Sequence, residues 1–159
     1  MVDFDDFGSP EEALAAGAIF YSLPSELTDD MIDPLLRKAV RRINESNWVW
    51  TAESCQGHPE ETRNHPWAGN VRPFLRLVVH GSGLAEMMAK LVLAMRYTPE
   101  YEGADGKTYH QTPESLSFKI FPWPTSNGDY EQVLIYIEAD SAYSRNLGIA
   151  AFERFAESL

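Results

Sequence analysis

The stretch Thr51-Ala52-Glu53-Ser54-Cys55-Gln56-Gly57-His58 puts hydroxyls, a carboxylate, a thiol and an imidazole close together in one chain. Each type can do a different job. A thiolate is a nucleophile, and a nearby imidazole lowers its pKa or carries its proton. The plainer reading of Cys55 is a small apolar side chain in a core. Gly57 permits a backbone turn that other residues resist. Free amides in such a turn can cradle an anion. Glu53, with Glu60 and Glu61 beyond it, can accept hydrogen bonds from an amine or a ribose. Thr51, Glu53, Ser54, Cys55, Gly57 and His58 are therefore candidate ligand-binding residues. Cys55 and His58 are also the candidates for catalysis.

A second candidate lies at His80-Gly81-Ser82-Gly83, between an expected strand and an expected helix. A helix N-terminus there can hold a carboxylate or phosphate, with His80 and Ser82 at its mouth. The plainer reading is a tight turn with Ser82 as a cap. Cys55, His58, His65 and His80 are all zinc-ligand types, yet their spacing matches no finger or hydrolase pattern. The expectation is no metal centre. Trp67, Tyr97, Tyr101, Tyr109 and Trp123 fall in expected loops or at a strand end, where aromatic rings either stack on a base or close the rim of a core.

The elements that must position these residues follow from periodicity. Ser9-Pro10-Glu11-Glu12 reads as a helix start, with Ser9 as cap, Pro10 in the first turn and Gly17 as the stop. Met31, Ile32, Leu35, Leu36, Ala39, Val40 and Ile43 form one apolar stripe. Pro34 points to Asp33 as the cap of that helix, and Asn44 to Asn47 end it. Strands are expected over Trp48–Thr51, Phe74–His80, Leu116–Ile120 and Val133–Ile137, the last two as a hairpin. Gly81-Ser82-Gly83 opens a helix that runs through Met95. Residues 97–112 read as a long loop, and Ser141 caps a final helix. Strands in pairs with helices between the pairs give an α+β domain. It has a mixed or largely antiparallel four-stranded sheet, packed by about three helices. Residues 1–23 form an acidic N-terminal segment with a short helix, and residues 24–159 form the single domain.

The chain has 159 residues and a net charge of −11. That charge opposes non-specific attraction to phosphate backbones, so a nucleic-acid partner is not expected and a small molecule is. Basic candidates remain at Arg37, Lys38, Arg41 and Arg42, and at Arg63, Arg72 and Arg76; a solvated helix face is the plainer reading of the first four. One cysteine leaves no internal disulfide framework. The acidic N-terminus has no basic start or apolar run, and no stretch is long and apolar enough to span a bilayer. The expected location is cytoplasmic.

Pro34-Leu35-Leu36 leads to Arg42-Ile43-Asn44, then a strand, then Thr51-x-x-Ser54-Cys55-x-Gly57. This arrangement resembles the wybutosine-synthesis methyltransferase family, which acts on a modified guanosine of phenylalanine tRNA. A looser likeness runs over residues 24–159. The resemblance implies S-adenosylmethionine as cofactor and a role for Thr51, Ser54, Cys55 and Gly57. The family has serine where this chain has Glu53 and Gln56, and arginine where it has His58. Histidine replaces the guanidinium fork only in part, and the acidic charge fits tRNA poorly. Three functions follow as expectations: a small-ligand-binding domain, an active methyltransferase, or an acidic interaction module without a small-molecule site.

Overall fold

A computed structural model describes residues 7–58, 72–96, 100–102, 104–110, 117–123 and 128–159. In chain order its elements are α1 (Pro10–Ala15), α2 (Arg37–Glu45), β1 (Val49–Cys55), β2 (Phe74–His80), α3 (Leu84–Arg96), β3 (Glu100–Glu102), β4 (Thr108–His110), β5 (Ser117–Trp123), β6 (Tyr130–Glu138) and α4 (Ala142–Ser158). Short 3₁₀ turns at Pro24–Glu26, Asp29–Met31 and Pro34–Leu36 precede α2, and one at Gly81–Gly83 precedes α3. The main sheet has the order β1-β2-β6-β5, and every neighbouring pair is antiparallel. The architecture is α+β, as the pairing of strands implied. No helix among the described residues is long and apolar enough to cross a membrane.

Strand alternation divides the apolar residues between two faces. Leu75, Leu77 and Val79 of β2 join Val133, Ile135 and Ile137 of β6 in the larger core. The helices meet them with Val40 and Ile43 of α2, Met87 and Leu91 of α3, and Phe152 and Phe155 of α4. Trp50, Val78 and Tyr130 point the other way and pack with Ala13 and Ala18 of the N-terminal segment. Ser141 caps α4 in a full capping box with Ser144, and Ser9 caps α1 through the Glu12 amide.

Several boundaries differ from the sequence reading, each for a tertiary reason. β1 does not stop at Thr51. It pairs with β2 through Cys55, which lies opposite Phe74. Its register shifts between Thr51 and Glu53, so Ala52 is the extra residue of a bulge that rephases the strand before the candidate site. β5 runs through Pro122, which an edge strand tolerates because one side of its ladder is unpaired. β3 and β4 pair within the segment expected to be loop. The stripe from Met31 to Ile43 is not one helix, since α2 proper begins at Arg37.

β1 is the other edge of the sheet, and its free backbone groups are capped by neighbours. The Asn44 Oδ1 accepts the Thr51 amide at 2.8 Å, and its Nδ2 donates to the Thr51 hydroxyl at 2.9 Å. The Ser46 hydroxyl accepts the Val49 amide at 3.3 Å. The Tyr21 amide donates to the Ala52 carbonyl at 2.9 Å. Asn47 then turns the chain from α2 into β1 with a φ of 63°, a conformation asparagine tolerates. Asn44→Ala leaves the buried Thr51 amide without its acceptor and is expected to destabilise the protein by about 1–3 kcal/mol. Urea unfolding measures this, and a loss within experimental error would contradict the role given to Asn44.

Candidate functional site

The Pro34–Leu36 turn and the chain leaving β1 are joined by hydrogen bonds running in both directions. The Gln56 amide donates to Asp33 Oδ2 at 2.9 Å, and the Leu35 amide donates to Gln56 Oε1 at 3.0 Å. Asp33 stands at the N-cap position but makes no side-chain cap bond to its own turn. Gln56 supplies an acceptor to the turn instead, and the Asp33 carboxylate is spent across the gap. The same Oδ2 lies 3.3 Å from His58 Nε2. The sequence places Asp33 correctly at a helix start, and only the fold shows that it serves the site.

Gly57 has a φ of 77°, which strains any residue with a Cβ. That turn directs the Gly57 amide at Cys55 Sγ, 3.4 Å away. From the other side, the buried Arg145 of α4 donates through Nη1 to the Gly57 carbonyl at 3.3 Å. The amides of Gln56 and Gly57 are thus engaged by Asp33 and Cys55. The turn holds a carboxylate of its own chain where an outside anion was considered.

A cavity of about 300 Å³ opens beside this clamp. Thr51, Glu53, Ser54, Cys55 and His58 line it, so the fold brings together five of the eight candidate ligand-binding residues. Gly57, the remaining candidate of that stretch, is not among the lining residues. Residues the sequence reading missed complete the lining: Tyr21, Ser22, Leu27, Met31, Ile32, Asp33, Val40, Ala52 and Phe74. Met31, Ile32 and Val40 belong to the apolar stripe, Asp33 is its expected cap and Phe74 opens a strand, but none of those signals says what the residue faces.

That wall is pinned by α2. Arg37 Nε donates to the Asp29 carbonyl at 2.8 Å, and Arg41 Nη1 donates to the Leu27 carbonyl at 3.2 Å. Arg41 Nη2 also pairs with the Asp29 carboxylate at 2.9 Å. Lys38 pairs with Glu153 and Glu157, and Arg42 with Glu45. The basic group on α2 is therefore committed within the chain. Buried Arg76 pairs with Glu53 at 3.2 Å, donates to the Ile19 carbonyl at 2.8 Å, and lies under the Trp123 ring. The Glu53 carboxylate is committed to that pair.

His80 and Ser82 do not join the others. They sit at the opposite end of β2, roughly 20 Å along the strand from Phe74 and Cys55. His80 Nδ1 lies 2.7 Å from the Ser82 hydroxyl and accepts the Ser82 amide, so His80, not Ser82, caps the turn into α3. His65, Trp67, Tyr97, Glu60, Glu61 and Arg63 lie outside the described residues.

Asp33, Cys55 and His58 each present a donor atom, and these atoms lie within 4.8 Å of one another. Cys55 and His58 are buried, and Asp33 is partly so. Burial pushes the Cys55 thiol up to about 11, with Asp33 adding to the rise as a nearby charge and hydrogen-bond acceptor. The Gly57 amide opposes that rise. A shift of that size favours the thiol at neutral pH while no cation is bound beside it, and a thiol is a poor nucleophile.

Comparison with protein-family models, with curated proteins and with solved structures finds no match for this chain.

In the presence of a metal chelator, alkylation of Cys55 by iodoacetamide is expected to be slow at neutral pH. Its rate should climb roughly tenfold per pH unit up to at least pH ~9.5, whereas an ordinary thiol levels off near pH ~9. Mass spectrometry follows the reaction, and a plateau near neutral pH would show a thiolate that this environment does not support.

Proposed function

We propose that the protein binds a small polar organic molecule in the cavity at the end of β1. The observation that carries this reading is the chemistry of the cavity wall. Ser22, Thr51 and Ser54 line the same hollow as Asp33, His58, Leu27, Met31, Ile32 and Phe74. Several polar groups converge there beside apolar side chains, in a volume at the small end of the usual range, and such groups can fix a ligand's orientation. The sheet end and the two-way clamp hold the polar groups in place, so little ordering cost falls on binding.

The wall also narrows the ligand class. Among the described residues no lysine or arginine lines the cavity, and acceptor oxygens are frequent. A ligand rich in phosphate is disfavoured. A neutral or cationic molecule with amine or hydroxyl donors is favoured, in the manner of a nucleoside or an amino acid. S-adenosylmethionine falls in that class, and it is the cofactor implied by the resemblance to the wybutosine-synthesis methyltransferases. Thr51, Ser54 and Cys55, three of the four residues that carry that resemblance, line the cavity. Methyl transfer is the second reading, and the high pKa of Cys55 gives that residue no part in it as a base.

Native mass spectrometry of the freshly purified chain is expected to reveal a co-purified small molecule. Thermal unfolding with S-adenosylmethionine, nucleosides and amino acids provides the second readout. A ligand at ~100 times its Kd stabilises by about 2.7 kcal/mol. For a chain of this size that raises Tm by roughly 5–10 °C. Ser54→Trp fills the hollow and should abolish the shift. No adduct and no shift from any of the three ligand classes would refute the reading.

A further inference from the structure

We propose that Asp33, Cys55 and His58 form a zinc site with one coordination position open to the cavity. The donor set is the first argument. Thiolate, imidazole and carboxylate are zinc's three protein ligand types, and three protein ligands plus an open position mark zinc sites that act on a bound molecule. A thiolate and a carboxylate together offset the charge of the dication, so the bound state brings no net charge into this partly buried place.

Geometry is the second argument. Tetrahedral zinc with bonds of about 2.0–2.1 Å to nitrogen and oxygen holds those two atoms roughly 3.3 Å apart. The separation between Asp33 Oδ2 and His58 Nε2 is 3.3 Å. With a bond of about 2.3 Å to sulfur, the sulfur would stand roughly 3.5 Å from each. All three donors already lie within 4.8 Å of one another, so closure needs only small side-chain movements. A catalytic relay would set the imidazole between the thiol and the carboxylate. Here all three donors converge pairwise, as a coordination sphere requires.

The third argument is the shell around the donors. The Gln56 amide donates to Asp33 Oδ2 and the Gly57 amide donates to Cys55 Sγ. Arg145 holds the Gly57 carbonyl from α4. Such outer contacts fix ligand orientation in metal sites. They come from the chain just past β1 and from α4, which is rigid support for a loop site. On binding, zinc displaces the thiol proton to solvent and bonds to sulfur, nitrogen and oxygen.

The site does not rest on the cavity accepting an organic ligand, and its test contains none. The full chain is stripped with a chelator and titrated with Zn²⁺ in competition with a chromophoric chelator, and separately with Co²⁺. One equivalent of Zn²⁺ is expected. The Co²⁺ complex should show a thiolate-to-cobalt charge-transfer band and the strong visible absorption of tetrahedral cobalt. Cys55→Ser, His58→Ala and Asp33→Ala should each weaken Zn²⁺ binding by about 100-fold or more, beyond the usual loss for an outer contact. Circular dichroism in chelator verifies that each variant is folded, and the Co²⁺ spectrum of the unaltered chain needs no variant. Failure of the unaltered chain to compete for Zn²⁺ would overturn the proposal, as would a Co²⁺ spectrum without the thiolate band. Zinc binding without any organic ligand would leave this site standing and remove only the small-ligand reading.

Discussion

Two hydrogen bonds cross in opposite directions between the turn at Asp33 and the chain at Gln56, and the site is built on them. Each gives a partner to a backbone amide that the local structure leaves without one, and for the part-buried Gln56 amide going unpaired is costly. The Leu35 amide belongs to the first turn of a helical segment, where no intrahelical acceptor exists. The Gln56 amide lies just past the end of an edge strand. Each side chain serves the other segment's backbone, so neither segment is satisfied alone. The clamp brings a carboxylate from residue 33 to a thiol and an imidazole from residues 55 and 58, and the hollow lies beside that junction.

The surrounding fold serves to hold this junction still. β1 is an edge strand, and edge strands are free to bend or to pair with other chains unless their outer groups are occupied. Asn44, Ser46 and Tyr21 occupy them here. The bulge at Ala52 lets Trp50 pack in the smaller core while Glu53 comes opposite Arg76. Arg76 then ties the strand to the carbonyl of Ile19, and buried Gln132 pairs with both backbone groups of the same residue. Polar groups buried this way are satisfied, and they fix register where apolar contacts alone would allow slippage.

The sheet and its helices were legible because periodicity is a local signal. The β-branched and apolar run from Phe74 to His80, the Ser141 cap and the β5–β6 hairpin needed nothing from the rest of the chain. Positive φ at Gly57 was likewise readable, since glycine between polar residues in a turn has few other uses. What escaped were effects of distant partners. Asp33 looks like a cap in any local window, and only Gln56, in space beside it, redirects its carboxylate. Pro122 looks like a strand end until β5 is known to be an edge. How far apart the two candidates at Cys55 and His80 lie is also invisible locally, and the antiparallel register puts them at opposite ends of the β1–β2 pair. The Ser-Cys-x-Gly pattern lies at the strand end beside the cavity, and Glu53 just before it is tied to Arg76.

The claim at the centre is that Asp33 acts across the gap and not on its own turn. A double-mutant cycle tests it, with Asp33→Asn, His58→Gln and the pair, each followed by denaturant unfolding. Residues in direct contact couple by about 0.5–3 kcal/mol, while independent ones add. The account predicts a coupling of about 1 kcal/mol between Asp33 and His58. Additive losses would contradict a carboxylate that reaches across the gap to His58.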